Sequence, residues 1–363
     1  MMSTNPCRWG ILGAANIARK NWKAIRLAGN ATLTAVASRD KSRAKAWIEE
    51  CQSECPFPTP PAATDYDELL QRGDVDAVYI PLPTGIRRDW VVKAAEAKKH
   101  VLCEKPCGSN AAEVRDMLAA CTAQGVQFMD GVMFMHSKRL PLLRNTLDDG
   151  ETVGTIHRIS SQFSFAANDE FLQNNIRIDP HLEPLGALGD LGWYNIRFSL
   201  FAMNYVVPAK VCGRLLKVNA AGVPLEFSGE LFWASGASAS FYCSFTTELQ
   251  QWAHISGTRG SIWVPDFVLP FYGCESQFLA DRPVFNVSGT RYHWESHPRR
   301  FAVAEYSDGS PDAQETNMIR TFSHLVTTHT RDPFWPEVAL KTQTVLDACL
   351  ASARSGERIV ELT

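Results

Sequence analysis

Residues 7–130 alternate between short apolar runs and amphipathic helical patterns, and this alternation limits the possible fold more than any other feature. The segments "RWGILG" and "TLTAVAS" are typical of buried strands, and the stretch between them has the periodicity of a helix. The segment "VDAVYIPLPT" is an uninterrupted apolar run ended by prolines, as in a strand buried on both faces. Repeated strand–helix–strand units predict a doubly wound α/β fold with a parallel sheet.

The pattern changes after Met135. The segments "TIHRISSQFSF", "LEFSGELFWAS" and "ASASFYCSFT" alternate apolar and polar residues, which predicts hairpins of an antiparallel sheet. The last part of the chain returns to helical patterns. We therefore predict two domains: an N-terminal Rossmann domain over residues 1–132, and an α/β domain with a large, mostly antiparallel open sheet over residues 133–363.

Composition narrows the possible functions. A chain of 363 residues, 45% hydrophobic and with a formal net charge of -3, can form two cores and has no charge excess that would attract nucleic acid or an anionic membrane. No apolar run reaches the length of a membrane span, and no leader pattern is visible. The ten cysteines are spread along the chain, some of them in apparent strands, which predicts reduced thiols. Neither of the two C-x-x-x-C pairs has a companion histidine cluster, so no metal site is predicted. We expect a soluble, cytoplasmic protein.

The segment "GILGAANIAR" lies where a parallel-sheet fold places its phosphate loop. Of the three glycines in G-x-G-x-x-G only Gly13 is present, and Ala15 and Ala18 occupy the other two positions. Alanine at the third position is a known variant, whereas the Cβ of Ala15 crowds the phosphate and disfavours positive φ. The helix predicted to begin near Asn16 and Ile17 still offers unpaired N–H groups to a pyrophosphate. A dinucleotide site is therefore predicted here.

The residues after the second strand indicate which dinucleotide binds. Ser38 and Arg39 stand where a carboxylate would bind the ribose 2′-hydroxyl of NAD, and both suit a 2′-phosphate. Asp40 either caps the following helix or contacts the adenosine ribose. NADP is the predicted cofactor, with NAD as the alternative.

Lys105, in "CEKP", follows the fifth strand and lies at the carboxyl edge of the predicted sheet, where ligands bind in such folds. There its ammonium group can hold a substrate oxygen and lower the pKa of a neighbouring hydroxyl. The alternative is a solvated lysine in a turn. Glu104 before it and Pro106 after it favour a rigid backbone that fixes the lysine, and the peptide bond before the proline can be cis.

Five sequence blocks follow one another along nearly the whole chain. They are "GILGAANIA", "VDAVYIPLPTGIRRDWVVKAAEAKKHVLCEKP", "GALGDLGWYNIR", "ISGTRGSIWV" and "LKTQTVLDACLASARSG". In this order they resemble the Gfo/Idh/MocA oxidoreductases, and most of all the subgroup of dimeric dihydrodiol dehydrogenase and NADP-dependent xylose dehydrogenase. The resemblance implies a Rossmann domain followed by an open-sheet domain that often forms the dimer contact.

The resemblance also assigns roles. The EKP lysine of the family corresponds to Lys105, and its motif D-x-G-x-(H/Y) corresponds to Asp190, Gly192 and Tyr194. Tyr194 would exchange a proton with the substrate oxygen and Lys105 would lower its pKa; the alternative for Tyr194 is core packing beside Trp193. Asp190 either orients the site or caps a helix. The predicted cofactor-binding residues are Gly13, Ala15, Asn16, Ile17, Ser38, Arg39, Pro81, Leu82, Pro83, Thr84, Glu104 and Lys105.

Several positions depart from the commoner family pattern. Arg87 stands where many members have histidine, which would alter a contact near the nicotinamide. Met135 and His136 are predicted to line the substrate side, together with Tyr194. Arg177 either binds an anionic or polyhydroxylated substrate or forms a surface salt bridge.

The function that follows is NADP-dependent hydride transfer to or from a secondary alcohol or carbonyl of a sugar, polyol or cyclic diol. A redox-assisted glycosidase of the same family and a nucleotide-binding sensor without chemistry are the alternatives. The expected partners are a small-molecule substrate and further copies of the chain, which form a homodimer or higher homo-oligomer through the C-terminal sheet.

Overall fold

The computed structural model describes residues 5–362, which fold into two compact units. The first unit comprises the chain up to residue 136 together with residues 181–184 and 308–343. The second unit comprises residues 137–180, 185–307 and the chain from residue 344 onwards. The sequence prediction assigned everything after residue 132 to the second domain, so the placement of 308–343 in the first unit is a feature that the local pattern did not indicate.

The first unit is built on a parallel sheet, as the sequence predicts, and its six strands lie in the order β3-β2-β1-β4-β5-β6. Its strands are β1 (Cys7–Leu12), β2 (Ala31–Ala37), β3 (Ala62–Thr64), β4 (Ala77–Ile80), β5 (His100–Cys103) and β6 (Phe128–Asp130). The helices between them are α1 (Asn16–Leu27), α2 (Lys41–Glu54), α3 (Tyr66–Gln71), α4 (Thr84–Glu96) and α5 (Ala111–Gln124). A 3-10 turn over Met133–His136 follows β6.

Local sequence signals explain these boundaries. Helix α5 begins after Asn110, whose side chain accepts a hydrogen bond from the N–H of Glu113, and it ends at Gly125 with a φ of 70°. Asparagine is a preferred residue before a helix and glycine a preferred residue after one, so both ends follow from local signals. The proline-rich stretch before α3 contains only the short strand β3, because proline has no N–H to donate within a helix or ladder.

The second unit contains a nine-stranded sheet, a two-stranded hairpin and the helices that cover the inner face of the sheet. Its helices are α6 (Arg139–Asp148), α7 (Asp169–Asn174) and α8 (Trp193–Ala202), with a 3-10 turn at Ile176–Ile178 and a π-helical turn at Leu188–Gly192. The strands up to residue 264 are β7 (Ile156–Ala166), β8 (Lys210–Val218), β9 (Pro224–Phe232), β10 (Ser238–Ser244), β11 (Thr246–Gly257) and β12 (Ser261–Val264). They are followed by β13 (Glu275–Asp281), β14 (Val284–Ser288), β15 (Arg291–Glu295) and β16 (Arg299–Ala304).

The nine strands lie in the order β16-β13-β12-β11-β7-β10-β9-β8-β17, where β17 is Val360–Glu361. All neighbouring pairs in this sheet are antiparallel except β7 and β10, which run parallel. The prediction of a mostly antiparallel sheet is confirmed. Every residue of α8 is buried, and Asn195 of this helix donates to the hydroxyl of Ser161 on the inner face.

Two helices close to the end of the chain explain why residues 308–343 join the first unit. They are α9 (Gln314–Thr327) and α10 (Phe334–Arg354). Trp9 of β1 is fully buried, lies 5.3 Å from the ring of Phe322, and donates its indole N–H to the hydroxyl of Ser323. Helix α9 therefore covers apolar surface of β1 that the first 130 residues leave open.

Within residues 5–362 no helix has the length and apolar character needed to cross a membrane. All ten cysteines are unbridged, and seven of them are buried.

Candidate active site

The phosphate loop of the first unit connects β1 to α1. Gly13 has a φ of +138°, a conformation that favours glycine, and a Cβ at this position would make a tight contact of 3.1 Å with a methyl group of Leu82. Ala15 has a φ of -99° and a ψ of 156°, an ordinary extended conformation. The alanine that replaces the second glycine is therefore unstrained. Helix α1 begins at Asn16, as predicted, and Ala15 provides no side-chain cap for its first N–H groups.

Asp40 caps α2, which is one of the two roles that the sequence left open. Its carboxylate accepts hydrogen bonds from both the hydroxyl and the N–H of Ser42, each 2.8 Å long. The Ser42 hydroxyl, together with this N–H, holds the pKa of Asp40 below its usual value. Ser38, directly after β2, is buried, and its N–H donates to the carbonyl of Thr64.

Arg39, directly after β2, and Arg43, in α2, both lie close enough to Tyr66 to act on its hydroxyl. Burial raises the pKa of Tyr66, while the guanidinium groups of Arg39 and Arg43 and a backbone hydrogen bond from Arg39 oppose that rise. Arg43 also donates to the carbonyl of Ala14 in the phosphate loop, at 3.4 Å. Lys41 differs from both arginines because its ammonium group pairs with the carboxylates of Glu68 and Asp65. Sequence reasoning identified Arg39 but not the role of Arg43, although its position one turn into α2 was the available signal.

The loop after β4, residues 81–84, leads directly into α4. The side chain of Glu183 caps this helix: its carboxylate accepts from the N–H of Thr84 at 3.0 Å and from the Thr84 hydroxyl at 2.5 Å. The N–H of Gly85 donates to the carbonyl of Leu182. A Cβ on Gly85 would lie 1.8 Å from the carbonyl oxygen of His181, so only glycine permits this close approach. Nothing in the local sequence indicates this contact.

The turn that bears Lys105 follows β5 and has a cis peptide bond between Lys105 and Pro106. Glu104 is buried, and its carboxylate accepts from the hydroxyl of Tyr79 at 2.6 Å and from the N–H of Lys105 at 3.0 Å. Burial, reinforced by the Glu104 carboxylate, raises the pKa of Tyr79. Glu104 is thus directed into the first unit, where it restrains the backbone of this turn.

Arg87 of α4 is 3% exposed and donates to the backbone carbonyls of Leu82, Glu104 and Pro106. The sequence predicted that this arginine alters a contact near the nicotinamide. In the structure its hydrogen bonds go to the loop after β4 and to the turn after β5, both at the carboxyl edge of the sheet.

His136 ends the 3-10 turn of the first unit. Its ring stacks on Trp335 with centroids 4.6 Å apart and an interplanar angle of 17°, and its carbonyl accepts from the side chain of Asn317. Met135 beside it is half-buried. His136 is therefore anchored to the segment 308–343 of the same unit.

In the second unit the motif D-x-G-x-Y spans the π-helical turn and the start of α8. The Asp190 carboxylate accepts from Nε of Arg177 at 2.9 Å, so two predicted site residues form an ion pair. Tyr194 is largely buried and its ring lies edge-on to Phe163, with centroids 5.6 Å apart. A π-helical turn is rare and occurs frequently at functional sites.

The structure thus groups the predicted residues by unit. Those predicted to bind cofactor lie on the loops after β1, β2, β4 and β5 at the carboxyl edge of the parallel sheet. Arg177, Asp190 and Tyr194 lie in the second unit. The N-terminus of α1 without a side-chain cap, Gly13 with its positive φ, and the two arginines near Tyr66 suit an anionic dinucleotide. Among residues 5–362 no group of three His, Cys, Asp or Glu side chains is placed to hold a metal ion.

Two family models match the chain. Residues 7–132 match the oxidoreductase family with an NAD-binding Rossmann fold, and residues 142–263 match the Gfo/Idh/MocA C-terminal domain. The chain is 31% identical to trans-1,2-dihydrobenzene-1,2-diol dehydrogenase of Mus musculus over 71% of its own length and 76% of that protein. It is 29% identical to D-xylose 1-dehydrogenase (NADP(+)) 2 of Haloferax volcanii, covering 97% of this chain and 98% of that one.

Solved structures agree on the fold. A 3-ketoreductase from Actinomadura kijaniata in complex with NADP and TDP-benzene superposes with a TM-score of 0.80, at 24% identity and over 98% of both chains. An aldose-aldose oxidoreductase from Caulobacter crescentus also superposes with a TM-score of 0.80, at 22% identity and over 99% of this chain and 100% of that one. With its paired domain models, its relatives and its carboxyl-edge site, this chain belongs to the Gfo/Idh/MocA oxidoreductases and is an enzyme of the dehydrogenase and reductase type.

Proposed function

We propose that this enzyme transfers a hydride between NADP and a secondary alcohol or carbonyl of a sugar, polyol or cyclic diol. The observation that carries the proposal is the restrained turn at the carboxyl edge, which holds Lys105 through hydrogen bonds to the backbone on both of its sides. The names of the relatives support the substrate class, because they act on a pentose, on a cyclic diol and on a nucleotide-linked keto sugar.

The dinucleotide fits the first unit. The N–H groups at the start of α1 would bind the pyrophosphate beside Gly13, and Arg39 with Arg43 would bind the 2′-phosphate of NADP. The loop 81–84 would contact the nicotinamide half. When bound, the nicotinamide supplies or accepts a hydride at the substrate carbon.

Lys105 and Tyr194 are proposed to act on the reacting oxygen of the substrate. Tyr194 moves a proton to or from this oxygen, and the Lys105 ammonium donates a hydrogen bond to it. Asp190, held by Arg177, orients the substrate. Met135, His136 and Arg177 are proposed to contact the rest of the substrate.

The outer face of the nine-stranded sheet is proposed to bind a second copy of the chain. Ser160, Ser228 and Ser240 leave a shallow groove of about 390 Å³ on this face. Trp252 and Trp263 stack beside it with centroids 5.1 Å apart, and tryptophan is enriched in interfaces. This groove is on the face opposite Phe163, against which Tyr194 packs, so it is not the substrate site. The ten free thiols support a reducing, cytoplasmic location.

The first experiment is a screen of sugars, polyols and cyclic diols with NADP, and of the corresponding carbonyls with NADPH, followed at the nicotinamide absorbance. We expect turnover with at least one member of these classes. A released aglycone without net change in the cofactor would favour a glycosidase, and cofactor binding without any turnover would favour a sensor.

We expect Tyr194→Phe and Lys105→Met each to reduce kcat by about 10²–10⁴-fold, because each removes a group that acts on the reacting oxygen. NADPH binding, followed by its fluorescence, should remain. Tyr272→Phe is the matched control, since Tyr272 is 99% exposed. Near-normal turnover in either site variant would exclude that residue from the chemistry.

We expect Arg39→Ala and Arg43→Ala each to reduce the NADPH over NADH preference by about tenfold or more, because each removes a charge-assisted contact to the 2′-phosphate. Lys41→Ala should leave the preference unchanged, since this lysine already pairs with Glu68 and Asp65. Titration of both cofactors measures the ratio. Equal effects of all three variants would contradict a specific 2′-phosphate site.

We expect wild-type protein to sediment as a dimer and Trp263→Glu to shift it towards monomer, because the substitution places a charge in an apolar contact that the partner would bury. Trp263 is 37% exposed, so folding should be retained. Tyr272→Glu, on a loop outside the sheet face, is the control. A monomeric wild type would refute the dimer.

A further inference from the structure

Arg87 joins two loops at the carboxyl edge of the parallel sheet. Its Nε donates to the carbonyl of Leu82 at 2.9 Å, and its Nη1 donates to the carbonyl of Glu104 at 3.0 Å and also to that of Pro106. Leu82 belongs to the loop after β4, whereas Glu104 and Pro106 are the two neighbours of Lys105. One buried side chain therefore bonds the backbone on both sides of the lysine and the loop next to it.

A guanidinium group is suited to this arrangement. It presents five N–H donors in a fixed plane, so it can bind several carbonyl oxygens that converge from different segments. A lysine has three donors on one atom, and a neutral histidine has one. Carbonyl oxygens buried without a donor are costly, so the two loops gain hydrogen bonds only while they are held in this relative position.

The other restraint on this turn is local. The Glu104 carboxylate binds the N–H of Lys105 and the hydroxyl of Tyr79, which fixes the peptide plane before the lysine. It does not reach the loop 81–84 in any hydrogen bond described for Glu104. Arg87 thus supplies the link between the lysine turn and the loop that we assign to the nicotinamide half of the cofactor.

We propose that Arg87 is a positioning residue for Lys105: its guanidinium sets the lysine turn against the loop 81–84 and so fixes where the ammonium group stands relative to the bound nicotinamide. This inference rests on the proposed role of Lys105 at the reacting oxygen. Arg87 acts through backbone carbonyls and has no contact with substrate in this proposal.

Lys99 provides a matched control for a buried cation that binds carbonyls. It is 8% exposed, and its Nζ donates to the carbonyls of Arg72 and Val75 at 2.7 and 2.9 Å. It precedes β5, so it lies at the amino edge of the sheet, opposite the predicted site. Burial lowers its pKa. Loss of Lys99 therefore reports the structural cost of removing such a cation from this unit.

The experiment compares Arg87→Met, Arg87→Lys and Lys99→Met in the full chain. Three quantities are measured for each: the thermal midpoint, the affinity for 2′,5′-ADP, which probes only the adenosine half of the site, and kcat with KM for substrate. For Arg87→Met we expect a loss of about 10–100-fold in kcat, because a displacement of about 1 Å at a reacting group has effects of this size. Binding of 2′,5′-ADP should stay within about twofold of wild type.

The conservative variant distinguishes positioning from packing. Arg87→Lys keeps the charge and up to three donors, so we expect a kcat between those of Arg87→Met and wild type. Lys99→Met should lower the thermal midpoint and leave kcat within about twofold of wild type. If Arg87→Met does not fold, Arg87→Lys alone tests the proposal through its lowered kcat at unchanged 2′,5′-ADP affinity.

The outcomes separate this inference from the proposed function. Wild-type kcat in both Arg87 variants, alongside an inactive Lys105→Met, would overturn the role of Arg87 and leave that of Lys105 standing. Full turnover in Lys105→Met would overturn the role of the lysine and, with it, the inference. Equal losses of kcat in Arg87→Met and Lys99→Met would overturn the inference, because a general loss of stability would then explain the effect of Arg87→Met.

Discussion

Backbone groups at the carboxyl edge of the parallel sheet have to find hydrogen-bond partners away from water, and the geometry of the first unit depends on how they do so. Both faces of a parallel sheet are covered, so its loops leave the strands already partly buried. Here charged side chains complete the bonding. Glu183 binds the first N–H of α4, Glu104 binds the N–H of Lys105, and Arg87 binds three carbonyls. Each of these contacts fixes a loop that the site uses.

This bonding also explains the form of the phosphate loop. Gly13 packs so closely on Leu82 that a Cβ would be 3.1 Å from its methyl group, and the carbonyl of Leu82 is held by Arg87. The loops after β1 and β4 are therefore positioned together. The alanine at the second position of the fingerprint needs no positive φ, because Ala15 adopts an extended φ of -99° that any residue can take.

Much of the fold could be predicted because its signals are local. The start of α1 at Asn16, the cap at Asn110 and the end of α5 at Gly125 each depend on residues within one turn. The contacts that the sequence did not reveal are distant along the chain. Glu183 meets Thr84 across 99 positions, and Trp9 meets Ser323 across 314. No periodicity or spacing in the sequence marks these residues as partners. Glu183, Thr84, Trp9 and Ser323 look like any other acidic, hydroxyl-bearing or indole residue of the chain.

The same distinction holds for the tyrosine motif. Its spacing, D-x-G-x-Y, identifies Asp190 and Tyr194, but an ordinary α-helix would be expected to carry them. The structure instead has a π-helical turn over Leu188–Gly192 before α8 begins. A Cβ on Gly192 would lie 2.9 Å from a methyl group of Leu188 and 3.2 Å from the sulfur of Cys243. The glycine therefore allows the π-helical turn to pack closely on β10. The middle residue of the motif is thus a packing requirement of the turn that carries Asp190 and of the helix that carries Tyr194.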